Sequence, residues 1–473
     1  MDIRDTSPAP ANWGALFSGA NGVRSLVLAG GVALHAVNVY IVTTILPSVV
    51  DDIGGLDLYA WNTTIFVVAS ILGSALAARL LRVAGPGGAY AIAAVTFSLG
   101  AAACAMAPSM PVMLVGRLVQ GLGGGFLFAL AYAMIRLVFP QSLWPRAMAL
   151  VSGMWGVATL VGPAIGGIFA ELGVWRAAFW SLVPITLLFA GMAATVLPRR
   201  NAEPEARGSS VAFVQLALLV AAVLAISAGS TSPDLTRNVA GVLAAGVLVA
   251  GLLAVEARAR RRLAPTGAFR PGSTLAALFT TMCLLAVTVT SGEVFAPLFL
   301  QVLHGQSPLA AGYLAALMAA GWTLGSVTSS GASLQGARRA IVAGPVLQLA
   351  GMAALFLLMP HVSGGRWLAL APICLALVAI GLGVGMAWPH LLTGILKAAP
   401  EGEQELAGAS ITTIQLFATA TGAALAGMVT NAGGLLDPGG VTGAAGAARW
   451  LFGVFALAPL ASLATAGKAA KAR

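Results

Sequence analysis

The stretch Trp155 to Gly167, WGVATLVGPAIGG, decides how the chain is read. It carries no charge and is apolar enough to sit in a membrane, yet Gly156, Gly162, Pro163, Gly166 and Gly167 lie inside it. Glycine and proline weaken a helix, so their presence needs a reason that a bilayer supplies. Hydrocarbon tails are as apolar as leucine, and helices there associate by close packing of small residues. Gly162 and Gly166 form a small-xxx-small face that lets another backbone approach, and Pro163 removes one donor and can bend the helix.

Apolar runs of this kind recur from end to end. With 59% hydrophobic and 8% charged residues over 473 positions, the chain holds far fewer charges than the roughly 25% usual for soluble domains. Each run is about the ~20 residues that cross a bilayer as a helix, which predicts an all-α integral membrane protein. A β-barrel would show short alternating segments instead. Reading the breaks as loops places helices near 25–48, 60–80, 88–107, 111–135, 147–169 and 178–197. Two more lie near 211–229 and 238–255, and six near 273–301, 308–329, 340–359, 368–395, 406–429 and 448–467. That makes fourteen.

Charge tests the count, because Lys and Arg collect in cytoplasmic loops. With both termini cytoplasmic, twenty of the 25 Lys and Arg fall on that side, among them Arg4, Arg199, Arg200, Arg207 and Arg473. Only Arg176, Arg237, Arg366 and Arg449 fall outside, and Arg117 lies within a span. The net charge of +10 is thus a topology signal, and its dispersal among short loops argues against a nucleic-acid partner. The run VEARARRRLAP, Val255 to Pro265, is either an orienting loop alone or a contact to anionic membrane lipids. No cleavable signal peptide precedes the first span, and the setting this implies is the plasma (inner) membrane. Cys104, Cys283 and Cys374 sit in apolar runs without a CxxC spacing and read as small buried residues.

The chain divides as a cytoplasmic tail (1–24), a six-helix bundle (25–197), a loop with two additional helices (198–262), a second six-helix bundle (263–467) and a cytoplasmic tail (468–473). GSALAARLLRVAG after the second span and GASLQGARR after the tenth are weakly similar turns, each a glycine, small residues and then arginines. Repeated halves with a site between them describe secondary transporters.

GRLVQGLGGG (Gly116 to Gly125), GPAIGG in the fifth span, WRAAFWSLVP (Trp175 to Pro184) and GLGVGMAWP (Gly381 to Pro389) together carry a family resemblance. The chain resembles the major facilitator superfamily, and most closely its fourteen-helix drug:proton antiporter family, over nearly its whole length. The resemblance implies two six-helix halves that rock around a central cavity. It also implies that Gly156, Gly162, Pro163, Gly166 and Gly167 form the antiporter motif at the interface of the halves, which otherwise reads as a tight packing face. The function implied is proton-coupled export of lipophilic or amphipathic small molecules, of multidrug-efflux type, by a chain working as a monomer. The alternative is transport of one endogenous metabolite or lipid by uniport or symport.

Ionisable groups inside spans are few, and each suggests a role, since a charge at the bilayer centre costs roughly 2.5–3.5 kcal/mol on insertion scales. Arg117 lies ~8–10 Å and Glu293 ~12 Å below the outer ends of their spans at 1.5 Å per residue. Glu293 is the candidate proton carrier and Arg117 its charge partner; otherwise Glu293 snorkels outward and Arg117 is a structural arginine bonded to helix carbonyls. In ALHAVNVYIVTTILP the position where the resembling antiporters carry Asp is Asn38, which cannot titrate. His35, one turn earlier on the same face, is either a second proton site or a neutral hydrogen-bonding residue. Asn38, Gln120, Trp155, Trp322, Trp388 and Gln415 would line a cavity for an amphipathic molecule, unless the tryptophans pack or face lipid. The chain shows no HExxH, no converging Ser–His–Asp set and no P-loop, so the reading is a transporter and not an enzyme, with no cofactor, no metal and no use of ATP.

Overall fold

The computed structural model describes residues 13–198, 212–232 and 234–471. Of the basic positions counted above, Arg4, Arg199, Arg200, Arg207 and Arg473 lie outside these residues, as do parts of both tails and of the 198–211 loop.

After a short turn of helix at Trp13–Phe17, the chain forms α1 (Gly19–Ile53). The helix Tyr59–Ala105 is broken at Gly85, whose φ of 69° is open to glycine but strained for other residues, and Pro86 follows it. The break separates α2 (59–84) from α3 (86–105). The first half is completed by α4 (Met110–Val138), α5 (Trp144–Glu171) and α6 (Trp175–Val196). A hairpin of α7 (Phe213–Gly229) and α8 (Leu235–Arg258) comes next. The second half consists of α9 (Thr274–Val302), α10 (Pro308–Ser329), α11 (Leu334–Leu358), α12 (Trp367–Ala398), α13 (Gln404–Thr430) and α14, which runs as Gly440–Phe455 and Leu457–Lys471.

Twelve helices are long and apolar enough to cross a bilayer among the described residues. One of them bends back at Gly85 to make two crossings, and the shorter apolar helix α7, of 17 residues, adds another. Fourteen crossings result, as the sequence predicts.

Glycine decides how closely these helices approach. In GRLVQGLGGG, Gly116 faces Cys104 of α3, Gly121 and Gly125 face the α2 backbone at Phe66 and Ser70, Gly123 faces α3 at Phe97, and Gly124 faces His35 of α1. A methyl group at any of them would overlap these neighbours. α4 is therefore seated against three helices at backbone contact, where small residues give the packing that replaces a hydrophobic drive in lipid. GLGVGMAWP does the same in the second half: Gly381 and Gly385 lie on α10 at Met318 and Trp322, and Gly383 lies on α11 at Gly344.

The halves meet along two seams. At the first, α5 and α1 face α10. At the second, α2 faces α13, and the α7–α8 hairpin packs over the join: Ala222, Val223 and Ile226 of α7 share a buried cluster with Phe66 and Val67 of α2 and Ala420, Ala424 and Met428 of α13. At the end opposite the termini, Trp61 Nε1 donates to Ser227 O (2.9 Å), and Asn431 Nδ2 donates to Ser230 O (2.7 Å) and Asp57 O (3.3 Å). One hairpin is thereby tied to both halves.

Candidate transport site

The GPAIGG segment builds the first seam. Gly162 sits against Tyr40 of α1, Gly166 against Ile41 and Thr44 of α1, and Gly167 against Leu309 of α10. Gly312 of α10 in turn faces Thr44 and Pro163. The small-residue face thus joins α1 and α5 within the first half, while Pro163 and Gly167 receive the second half. Gly156 is different: a side chain there would meet nothing within 4 Å, as at Gly153.

Contacts between the halves cluster toward the end opposite the termini. Tyr313 donates its hydroxyl to Leu160 O (3.0 Å), Leu309 N donates to Glu171 Oε1 (3.4 Å), and Tyr59 stacks on Phe295 at 5.1 Å between ring centroids. The Arg176–Asp52 ion pair (2.5 Å), the only one among the described residues, also lies at that end and braces the first half.

Arg117 is buried in the first half. Its Nε donates to Asn62 O (3.3 Å), an Nη donates to Gln120 Oε1 (2.6 Å), and the guanidinium lies 4.1 Å from the centre of the Phe66 ring. Such a cation–π contact is worth up to about 2 kcal/mol when desolvated. Arg117 and Glu293 form no ion pair, so the suggested direct pairing is absent here. The arginine is held as the structural alternative describes, although a helix carbonyl supplies only one of its bonds.

Around it lies a set of unbonded polar atoms. His35 Nδ1, both side-chain atoms of Asn38, Asn62 Oδ1 and Gln120 Nε2 are buried without a hydrogen-bond partner. Five such atoms on α1, α2 and α4 are unusual, because buried polar groups are nearly always bonded and each orphan costs about 1–3 kcal/mol. The His35 ring is packed between Phe66 (5.3 Å), Phe128 (5.4 Å) and the edge of Trp155 (6.0 Å).

Glu293 is half-buried on α9 and lies near enough to Tyr40 of α1 for its charge to act on the phenol, which is itself beside Thr159 of α5. The one acidic residue in the middle of a described span therefore lies within electrostatic reach of the opposite half. Trp322 and Trp388 form their own pair in the second half, 5.1 Å between centroids, and Gln415 is half-buried on α13. The named residues thus fall into a first-half group of His35, Asn38, Arg117, Gln120 and Trp155, and a second-half group of Glu293, Trp322, Trp388 and Gln415. Asn62, Phe66 and Tyr40 were missed by sequence reasoning. Asn62 alone left a signal, as an amide inside an apolar run. No group of three or more His, Cys, Asp or Glu side chains suited to a metal occurs among the described residues.

Two bundles of six helices, closed on each other at one end with polar and aromatic groups between them, define a secondary-transporter architecture. The chain belongs to the Major Facilitator Superfamily, whose sequence profile matches residues 28–423. It is 38% identical over 445 residues to a probable multidrug-efflux transporter of Mycobacterium tuberculosis, covering 91% of this chain and 92% of the relative. It is 24% identical over 425 residues to a multidrug transporter protein of Bacillus subtilis, with coverages of 88% and 76%. Among solved structures, the D-xylose–proton symporter superposes with a TM-score of 0.65 at 14% identity over 94% of this chain and 97% of its own, a likeness of fold. The chain is an integral membrane transporter of that superfamily.

Proposed function

We propose that the protein is a proton-coupled exporter of lipophilic or amphipathic small molecules, working by alternating access in the plasma membrane with Glu293 as proton carrier. The observation that carries the reading is the place of Glu293: a half-buried carboxyl group within α9, near enough to Tyr40 of the other half for its charge to be felt there. A proton held there is sensitive to any motion that changes the distance between α9 and α1. The name of the Mycobacterium tuberculosis relative, a probable multidrug-efflux transporter, supports the direction of transport.

Alternating access is supported by the uneven seam. The halves are bonded at the end opposite the termini, whereas Trp155 from one half and the Trp322–Trp388 pair from the other lie in the part of the bundle nearer the termini. Gly153 and Gly156 have open space before them there. This is the form expected of a carrier open toward the side of its termini. Trp155, Trp322 and Trp388 with the half-buried Gln415 suit an amphipathic substrate.

Purified protein in vesicles with an internal pH dye tests the reading. Proton flux driven by a panel of lipophilic cations, anions and neutral compounds is compared between wild type and Glu293→Gln. Flux that one substrate class evokes and the variant loses supports antiport through Glu293. Flux that survives moves the carrier role to another group such as His35, and substrate transport without proton movement refutes antiport.

A further inference from the structure

The base of the α7–α8 hairpin, at the end of the molecule that carries the termini, holds a groove of about 380 Å³ lined by Phe213, Val214, Gln215, Val255, Arg260 and Arg261 among others. We propose that this groove is a binding site for an anionic phospholipid, with Arg260 and Arg261 taking the headgroup phosphate and Phe213, Val214 and Val255 the first part of an acyl chain.

The loop that carries the arginines is built, not loose. Glu256, only 5% exposed, accepts from Leu263 N (2.7 Å) and Ala264 N (3.0 Å) through Oε1 and from Gln215 Nε2 (3.2 Å) through Oε2. Gln215 Nε2 also donates to Arg261 O (2.8 Å). A carboxylate at the end of α8 and an amide at the start of α7 together hold residues 259–264 in one shape. That arrangement uses Glu256 fully in hydrogen bonds to neutral groups. Among the described residues neither Arg260 nor Arg261 has a carboxylate within ion-pair distance, and both are exposed.

Charge and apolarity then meet in the order that a lipid requires. Phe213 is 56% and Val214 58% exposed at the first turn of α7, at the level where a span enters the headgroup layer. Guanidinium groups beside them can bond a phosphate through two donors each. Basic residues at a membrane surface are drawn to anionic lipid. A soluble phosphate would use the arginines but leave the apolar wall bare, and the lipid assignment rests on both. It is independent of the substrate and of the coupling ion.

The test is native mass spectrometry of the full-length transporter released from detergent micelles, with dioleoyl phosphatidylglycerol or dioleoyl phosphatidylcholine added. Arg260→Gln/Arg261→Gln is compared with Arg338→Gln/Arg339→Gln, which removes the same charge from the start of α11 at the same end. Phosphatidylglycerol adducts should fall at least fivefold in the first variant and less than twofold in the second, while phosphatidylcholine adducts stay unchanged. Equal losses in both variants, or adducts that persist in the first, would overturn the site. Displacement of the lipid by millimolar inorganic phosphate would reassign the groove to a soluble anion. Adducts that form only in Glu203→Gln/Glu205→Gln would mean that the chain's own 198–211 loop fills the groove, and would also overturn the proposal.

Discussion

Arg117 shows how one side chain can be expensive to move although it pairs with no acid. Its guanidinium spans Asn62 O, Gln120 Oε1 and the Phe66 face at once, a fork that a lysine ammonium does not reproduce. Arg117→Lys should therefore lower the thermal unfolding midpoint in detergent by several degrees, by leaving an amide oxygen unpaired at about 1–3 kcal/mol. An unchanged midpoint would show that the fork contributes little. Outside the spans, the Glu403 carboxylate accepts from the Thr266 amide (2.6 Å) and hydroxyl (2.7 Å). The Thr266 amide and hydroxyl, aided by the nearby Arg262, hold it below its ordinary value of 4.5. A depressed carboxyl stabilises the fold above that ordinary value and loses its contribution as pH falls through the depressed one. Protection of the Thr266 amide, measured against its intrinsic exchange rate, should accordingly fall as pH drops below 4.5, and Glu403→Gln should remove most of that dependence. Identical protection in both proteins across this range would exclude the Glu403 contact as its source.

At the scale of elements, packing separates glycines that look alike in sequence. Gly162 faces Tyr40 at backbone contact and Gly156 faces open space. Gly162→Val should destabilise by about 1–3 kcal/mol through overpacking and reduce transport. Gly156→Val should leave the unfolding midpoint within a degree or two, and equal effects of the two would contradict the α1–α5 contact. The number of spans and the spacing of GRLVQGLGGG were legible in the chain, because both follow from hydropathy and from residue size. Which helix each glycine meets was not. Gly124 reaches His35 and Gly116 reaches Cys104 through tertiary placement, and nothing local encodes it. The same limit applies to Arg117 and Glu293, whose similar depths suggested a meeting. Depth along two helices fixes neither their rotation nor their separation, and Arg117 turns into its own half toward Asn62 and Gln120. Tyr40 was hidden for the related reason that an aromatic residue in an apolar run carries no mark of what it faces.

For the whole molecule, the joints at the end opposite the termini make the direction of motion testable. Glu171 and Leu309 bring the two halves into contact there. Cysteines at both positions, in a background lacking Cys104, Cys283 and Cys374, should cross-link through a short thiol-reactive spacer. Substrate transport should then fall more than tenfold and recover on reduction. Full activity in the cross-linked protein would mean that the cycle never opens this joint. The α7–α8 hairpin makes the two seams unequal. It roofs the join of α2 and α13 and is tied to Trp61 on one side and Asn431 on the other, while the join of α5 and α10 has no comparable cover among the described residues. Seen from the lipid, the molecule has a shuttered edge and a bare one, although the two halves that meet there are built to the same plan.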